Sequence, residues 1–282
     1  MGAVIYGSEL SKELREQMRL EVEQIKQSGK RIPCLAVVLV GDNPASISYV
    51  KGKKKACDSV GFKSVEIDMD ANTTQAELNE TLKKLSSDDS IDGILLQLPL
   101  PKNLDEYEAI SYISCDKDVD GLTPLNFGNL FLNAPSFAPC TPSGIMELLK
   151  RMDCNPDGKY AVVVGRSKLV GTPIARLLQN ANATVTICHS HTKNLREITK
   201  QADILIAAVG SPKLFDETYV NENAYVIDVG VNRMDNGHLC GDVDFDKVKD
   251  HCKAITPVPK GVGPMTITML LENTLKSYKR SH

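Results

Sequence analysis

The chain has little excess charge of either sign. Its 282 residues include 33 basic and 36 acidic side chains, a net charge of −3. That balance argues against a general nucleic-acid binder, while leaving room for a local basic patch. Long apolar runs are missing too. Segments such as Cys34 to Val40 are among the longest and are too short to span a bilayer. Met1 to Leu20 is amphipathic and charged and lacks the apolar core of a signal peptide. Eight cysteines are present, yet no C-x-x-C pair occurs, which speaks against a structural zinc site. Several of these cysteines lie in apolar segments, where a free thiol packs as a small hydrophobe. A reducing cytoplasm is the expected location. Neither an internal repeat nor a low-complexity tract is visible.

What is present is a hydrophobic share of 42%, sufficient for real cores, on a length that suits two domains of ordinary size. The division is expected near Pro135 to Pro142. Leu10, Leu14, Met18, Val22 and Ile25 form one stripe of a helix over Ser8 to Gln27. Cys34 to Val40 reads as a strand buried on both faces. Asn43-Pro44 starts a helix that ends at Gly61. A strand over Ser64 to Ile67, a helix over Thr74 to Leu85 and a strand over Ile91 to Gln97 follow. This alternation predicts a parallel sheet flanked by helices. A helix near Leu104 to Ile113 precedes the polar loop Asp116 to Gly121. Thr141-Pro142 is expected to cap a helix over Ser143 to Met152, and Asn155-Pro156-Asp157-Gly158 is a turn. The second α/β unit has expected strands at Tyr160 to Val164, Thr184 to Cys188, Ile204 to Ala208 and Val226 to Val229. Helices are expected at Pro173 to Asn180 and from Thr266 to Tyr278.

Tyr49 and Lys53 stand four apart on the predicted second helix, so both project from one face. The ring can stack on a planar substrate, and a desolvated lysine can serve as acid or base. Locally, a solvated basic helix carrying Lys51, Lys53, Lys54 and Lys55 remains an open alternative. Short-chain dehydrogenases have a similar Tyr-x-x-x-Lys pair, but there it follows the nucleotide turn instead of preceding it. Here the turn comes later, as Gly165-Arg166-Ser167-Lys168-Leu169-Val170-Gly171, between an apolar strand and a helix. Its glycines and the helix N-terminus suit a pyrophosphate, although the spacing is not G-x-G-x-x-G. An acid at the end of the next strand commonly meets a free ribose 2′-OH. The strand ends instead in Cys188-His189-Ser190-His191-Thr192, and with Arg166 nearby this favours NADP over NAD. Two histidines at i and i+2, with no carboxylate or cysteine in a metal pattern, do not make a metal site. Asp116 to Gly121 lacks the later ligands of a calcium loop. It is either a solvated acidic turn or a carboxylate that accepts from an amino-pyrimidine edge.

Taken in order, Tyr49-x-x-x-Lys53, Leu95-Leu96-Gln97-Leu98-Pro99-Leu100-Pro101, Lys117-Asp118-Val119-Asp120-Gly121, Pro139-Cys140-Thr141-Pro142, Gly165-Arg166-Ser167, Cys188-His189-Ser190 and Gly261-Val262-Gly263-Pro264-Met265-Thr266 span essentially the whole chain. The combination closely resembles the methylenetetrahydrofolate dehydrogenase/methenyltetrahydrofolate cyclohydrolase family in its stand-alone bifunctional form.

The resemblance implies a two-domain α/β protein with a cleft between the domains. Residues 1–140 would form an α/β folate-binding catalytic domain with a parallel sheet, onto which the helix 266–282 packs back. Residues 141–265 would form a Rossmann-like NADP domain. The implied partners are tetrahydrofolate derivatives and a second copy in a homodimer, with no nucleic acid and no membrane. The implied catalytic residues are Lys53 as acid/base, Gln97 bonded to it, Tyr49 against the aminobenzoyl ring and Asp120 toward the pterin. Leu96, Leu98, Pro259, Lys260, Gly261, Val262 and Gly263 would border the folate. Gly165, Arg166, Ser167, Ser190 and Val231 would contact NADP, and no metal is implied. The family often has Pro-Gly-Gly-Val-Gly where this chain has Pro259-Lys260-Gly261-Val262-Gly263. Lys260 is therefore expected to take an ordinary conformation or to meet the folate's carboxylate tail. The rival readings are an NAD-dependent enzyme with dehydrogenase activity alone and a folate- or nucleotide-binding protein without turnover. The length is expected to leave no room for a ligase domain beyond the last helix.

Overall fold

The computed structural model describes residues 2–281. In chain order its first elements are β1 (Ala3–Val4), α1 (Gly7–Gln27), β2 (Cys34–Val40), α2 (Pro44–Val60), β3 (Lys63–Met69), α3 (Gln75–Ser87), β4 (Gly93–Leu96), α4 (Glu106–Ser111), α5 (Pro124–Phe131) and α6 (Cys140–Arg151). Then come β5 (Tyr160–Val164), α7 (Gly171–Asn180), β6 (Thr184–Cys188), α8 (Leu195–Thr199), β7 (Ile204–Ala207), β8 (Tyr225–Asp228), β9 (Asn232–Arg233), β10 (Leu239–Cys240), α9 (Phe245–Val248), β11 (Ala254–Ile255) and α10 (Val262–Ser281). None of the described helices is long and apolar enough to cross a membrane. The elements divide into two compact units. One comprises Glu13–Cys140 with the chain from Ile267 onward; the other comprises the N-terminal segment through Lys12 with Thr141–Thr266.

The Glu13–Cys140 unit is built on a three-stranded parallel sheet in the order β3-β2-β4. Every residue of the central β2 is buried, as its unbroken apolar run requires. Val38 of β2, Ile94 and Leu96 of β4, and Leu78 and Leu82 of α3 share one core. Local chemistry sets the helix ends. Asn43 accepts from the backbone N–H groups of Ala45 and Ser46 at 3.0 and 3.2 Å, and Gly61 closes α2 at φ 80°. Thr74 and Glu77 form a reciprocal capping box on α3. The last helix contributes Asn273, whose side chain donates to the carbonyl of Val119 at 2.9 Å. Ser277 donates to the carbonyl of Asp116 at 2.7 Å.

The other unit contains a six-stranded, wholly parallel sheet in the order β1-β11-β8-β7-β5-β6. Val162, Val164, Leu205, Val226 and Phe215 lie at its centre. The strand order reverses at β5, with β6 on one side and β7 on the other.

Several elements differ from the sequence-based expectation. Residues 1–12 were expected in the first domain, but β1 pairs in parallel with β11 of the six-stranded sheet, Ala3 opposite Ala254. Both strands have two residues, too few to show a period. The last helix begins at Val262 instead of Thr266, because a proline in the first turn needs no intrahelical N–H bond. Helix α6 begins at Cys140, so Thr141 and Pro142 lie inside its first turn. Helix α5 was not anticipated. It is entered through Thr123, whose hydroxyl accepts from Asn126 N–H at 3.3 Å, and it carries Gly128 in its interior.

Candidate active site

In the Glu13–Cys140 unit, three segments bring polar side chains together at the end of the parallel sheet. Helix α2 presents Tyr49 and Lys53 one turn apart; Tyr49 is 62% exposed, while Lys53 is half-buried. Strand β4 continues into Gln97, whose backbone N–H still bonds Val38 of β2 at 2.9 Å. The cis Leu98–Pro99 bond follows at once. Lys53 Nζ donates to Gln97 Oε1 at 2.7 Å, and Gln97 Nε2 donates to the carbonyl of Leu98 at 2.6 Å. Gln97 is therefore locked in one orientation, with its acceptor end toward the lysine.

The third segment is the loop Asp116 to Gly121. Its two nearest carboxylates have different tasks. Asp118 is buried and accepts from Leu122 N–H, Thr123 N–H and Asn126 Nδ2 at 3.0, 2.8 and 2.9 Å. It holds the loop's shape. Gly121 sits at φ 70°, and a Cβ there would lie 2.6 Å from the carbonyl of Phe137. The preceding residue, Asp120, interacts with Lys53 and with Cys140. Among the described residues no group of three or more metal-ligating side chains occurs.

Burial pushes the Lys53 ammonium below the ordinary lysine range, opposed by the charge of Asp120 and then by Cys140. Burial raises Asp120, opposed first by Lys53 and then by a hydrogen bond from Cys140. The Cys140 thiol lies well above its usual range for the same reason, and its Sγ donates to the carbonyl of Val119 at 3.3 Å. The neighbouring lysines are not the cause of the Lys53 shift. Lys54 is paired with Glu66 at 2.7 Å, and Lys51 and Lys55 are exposed. The arrangement joins an amine whose hold on its proton is weakened by burial, a carboxylate and a fixed amide, with an exposed aromatic face one turn away. That set can move protons on a bound planar molecule.

The other residues expected to border the folate are Leu96, Leu98 and Pro259 to Gly263. Leu96 is 4% exposed and packs in the core, so its side chain is not at a surface. Leu98 packs against the same core and offers a carbonyl already used by Gln97. Pro259 to Gly263 belong to the other unit, and Ser8 N–H bonds the carbonyl of Lys260 there at 3.0 Å. Lys260 does not take an ordinary conformation. Its φ is +82°, a left-handed state costing a non-glycine residue about 1 kcal/mol or more. The sequence singles out Cys140 only through the Pro139-Cys140-Thr141-Pro142 motif, which carries no signal that it lies beside Asp120 and Lys53.

In the six-stranded unit, the turn after β5 is shaped by backbone approach. Gly165 has φ +128°, and a Cβ there would lie 2.2 Å from the carbonyl of Ala208. A Cβ on Gly171 would lie 2.2 Å from the carbonyl of Gly165. Between them Arg166, Ser167 and Lys168 are exposed. Ser167 Oγ accepts from Val170 and Gly171 N–H at 3.2 and 3.4 Å, at the start of α7. A glycine-walled turn opening onto a helix N-terminus fits a pyrophosphate. Ser190 is exposed just past β6, and Val231 is exposed past β8. All the expected cofactor contacts thus lie at the carboxyl ends of the parallel strands, where such sheets bind ligands.

Comparison with known proteins settles the relationship. The family model for the tetrahydrofolate dehydrogenase/cyclohydrolase catalytic domain matches residues 5–120, and that for its NAD(P)-binding domain matches residues 139–282. The chain belongs to the tetrahydrofolate dehydrogenase/cyclohydrolase family. Lys53, Gln97 and Asp120 fall in the catalytic match of this family, and the Gly165 turn falls in the NAD(P)-binding match. The "Bifunctional protein FolD" of Listeria innocua is 53% identical over 280 residues, covering 99% of this chain and 98% of that protein. A crystal structure of the FolD methylenetetrahydrofolate dehydrogenase/cyclohydrolase from Campylobacter jejuni is 47% identical and superposes with a TM-score of 0.97, covering 99% of both chains. The Trypanosoma brucei enzyme of the family, solved with NADP cofactor and an inhibitor, is 37% identical with a TM-score of 0.93, covering 99% of this chain and 98% of that one.

Proposed function

We propose that the protein oxidises 5,10-methylenetetrahydrofolate to 5,10-methenyltetrahydrofolate with NADP and hydrolyses the product to 10-formyltetrahydrofolate. The observation that carries this reading is the Lys53–Gln97 bond beside Asp120 in a chain of this family. Tyr49 offers its exposed face to the aminobenzoyl ring, and Asp120 accepts from the pterin edge. In methylenetetrahydrofolate the one-carbon bridge joins two nitrogens, whose lone pairs stabilise the cation left as hydride departs. The protein's main contribution to that step is alignment. NADP supplies the hydride acceptor. Gly165, Arg166, Ser167, Ser190 and Val231 would hold it; Arg166 and Ser190, with no acid after β6, suit a 2′-phosphate.

Hydrolysis needs more of the side chains. Water adds to the methenyl carbon and loses a proton; ring opening then requires a proton on the departing nitrogen. Lys53, whose burial lowers its hold on a proton, takes the first proton in its neutral form and returns it. Gln97 keeps its amine in position, and Asp120 keeps the depressed pKa from falling further. General acid/base help of this kind is worth about 10²–10⁴-fold.

The proposal includes a homodimer and a cytoplasmic location. The first is supported by family membership. The second is supported by eight cysteines that are all free thiols. The test is to supply methylenetetrahydrofolate with NADP or with NAD and to follow reduced cofactor and the methenyl intermediate together. NADPH formation with little methenyl accumulation, plus hydrolysis of added methenyltetrahydrofolate, is expected. Lasting methenyl accumulation would reduce the reading to a dehydrogenase alone.

A further inference from the structure

At the carboxyl end of the six-stranded sheet, two buried aspartates play no part in the chemistry above. Asp242 is 0% exposed and Asp228 is 2% exposed. Asp242 Oδ2 accepts from the backbone N–H groups of Val209 and Gly210 at 2.7 and 3.0 Å. Its Oδ1 accepts from Ser211 N–H at 2.8 Å and from Asn232 Nδ2 at 2.9 Å. One carboxylate therefore ties the segment after β7 to the segment after β8. Asp228 in turn accepts from Gly230, Asp242 and Val243 N–H at 3.1, 2.9 and 2.9 Å. The packing leaves no slack. A Cβ on Gly230 would lie 2.2 Å from Asp242 Oδ1, and one on Gly241 would lie 1.8 Å from Asp228 Oδ2.

The place of these segments follows from strand order. A dinucleotide binds across the point where the order reverses, here at β5, with its adenosine half toward the next strand in sequence, β6. The other half, carrying the nicotinamide, then falls toward β7 and β8. Val209 and Gly210 are exposed past β7, and Val231 is exposed past β8. We propose that Asp242 is a positioning residue for the nicotinamide half of the cofactor: its carboxylate clamps the two strand-end segments, Val209 to Ser211 and Gly230 to Asn232, into the shape that receives it. This rests on the dinucleotide reading of the unit made above. A buried carboxylate with four donors is strongly disturbed when it becomes an amide, because only one acceptor oxygen remains and the donors to the other oxygen face an NH2 group.

The test uses the full chain and three readouts: equilibrium binding of NADPH, amide hydrogen exchange at Val209, Gly210 and Ser211, and hydrolysis of added methenyltetrahydrofolate, which consumes no cofactor. For Asp242→Asn we expect NADPH affinity to fall about tenfold or more, with faster exchange at the three amides. The loss in affinity should exceed any loss in hydrolysis by about tenfold. Asp242→Ala, which keeps neither acceptor, should fall further than Asp242→Asn. Should either variant fail to fold, Asn232→Ala removes a single donor and should weaken NADPH binding by a smaller factor. Unchanged NADPH affinity with faster exchange would overturn the proposal, as would equal losses of binding and hydrolysis. Wild-type protein that binds neither NADPH nor NADH would instead overturn the dinucleotide reading itself.

Discussion

The two units build their sites from different materials. Around Lys53 the working parts are side chains: an amine, an amide and a carboxylate, set by burial and by one 2.7 Å hydrogen bond. Around Gly165 the working part is the backbone, brought so close to Ala208 that a single methyl group would collide. Substitutions should therefore act in opposite ways. Changes near Lys53 should alter a rate, while changes near Gly165 should alter an affinity. Chemistry needs groups whose charge can change; a phosphate needs N–H donors and room.

The largest expected effect breaks the comparison at its chemical end. Lys53→Met should reduce methenyltetrahydrofolate hydrolysis by about 10²–10⁴-fold while NADPH binding persists. Retained hydrolysis in that variant would remove Lys53 from the mechanism. At the backbone end, Gly165→Ala should abolish measurable NADPH binding, read by fluorescence titration, since both its φ and its contact with Ala208 are denied to alanine. Survival of normal binding there would mean that the turn does not hold the cofactor.

A smaller effect sharpens the cofactor choice. Arg166→Ala should weaken NADP about 10- to 100-fold more than NAD, the worth of one lost charge-assisted contact. Equal losses for both would show that Arg166 does not read the 2′-phosphate. A fourth prediction concerns pH. Hydrolysis should rise with pH as Lys53 loses its proton, with a midpoint below the ordinary lysine value of about 10.4. Asp120 holds that midpoint up, so Asp120→Asn should move it lower still. An upward movement would contradict the proposed electrostatics. The same shift links to stability. Folded Lys53 binds its proton less firmly than unfolded lysine, so its contribution to stability grows as pH rises between the two pKa values. The smallest effect is Lys260→Gly, which should stabilise the protein by no more than about 1 kcal/mol in urea unfolding, because relief of the left-handed conformation is partly offset by glycine's flexibility.

Much of the fold is legible in the sequence. The strand Cys34–Val40 and the helix Pro44–Val60 follow from an apolar run and from the caps Asn43 and Gly61. The glycine turn was legible as a strand-to-helix junction. The short pieces were not. Strands β1 and β11 have two residues each and exist because β1 pairs with β11 and β11 with β8, not because either prefers to be extended. Within the site, Tyr49 and Lys53 were visible as an i, i+4 pair, while Gln97 and Asp120 entered only through the family resemblance. Asp118 and Asp120 are two residues apart in one acidic loop, and only folding separates a carboxylate that shapes the loop from one that faces the lysine.

The amino-acid order alone determined the parallel α/β architecture, the glycine-walled turn, the lack of an acid after β6 and the resemblance to a folate enzyme. These rest on local properties: periodicity, caps, turn residues and the chemical type of a side chain. Tertiary structure decided which lysine of four is enclosed, which end of Gln97 it meets and which aspartate clamps the strand ends. Those depend on burial and on contacts between residues far apart in the chain, such as Lys53 with Gln97 and Asp242 with Val209. A pKa or a clamped loop is a property of an environment, and an environment exists only once the chain has folded.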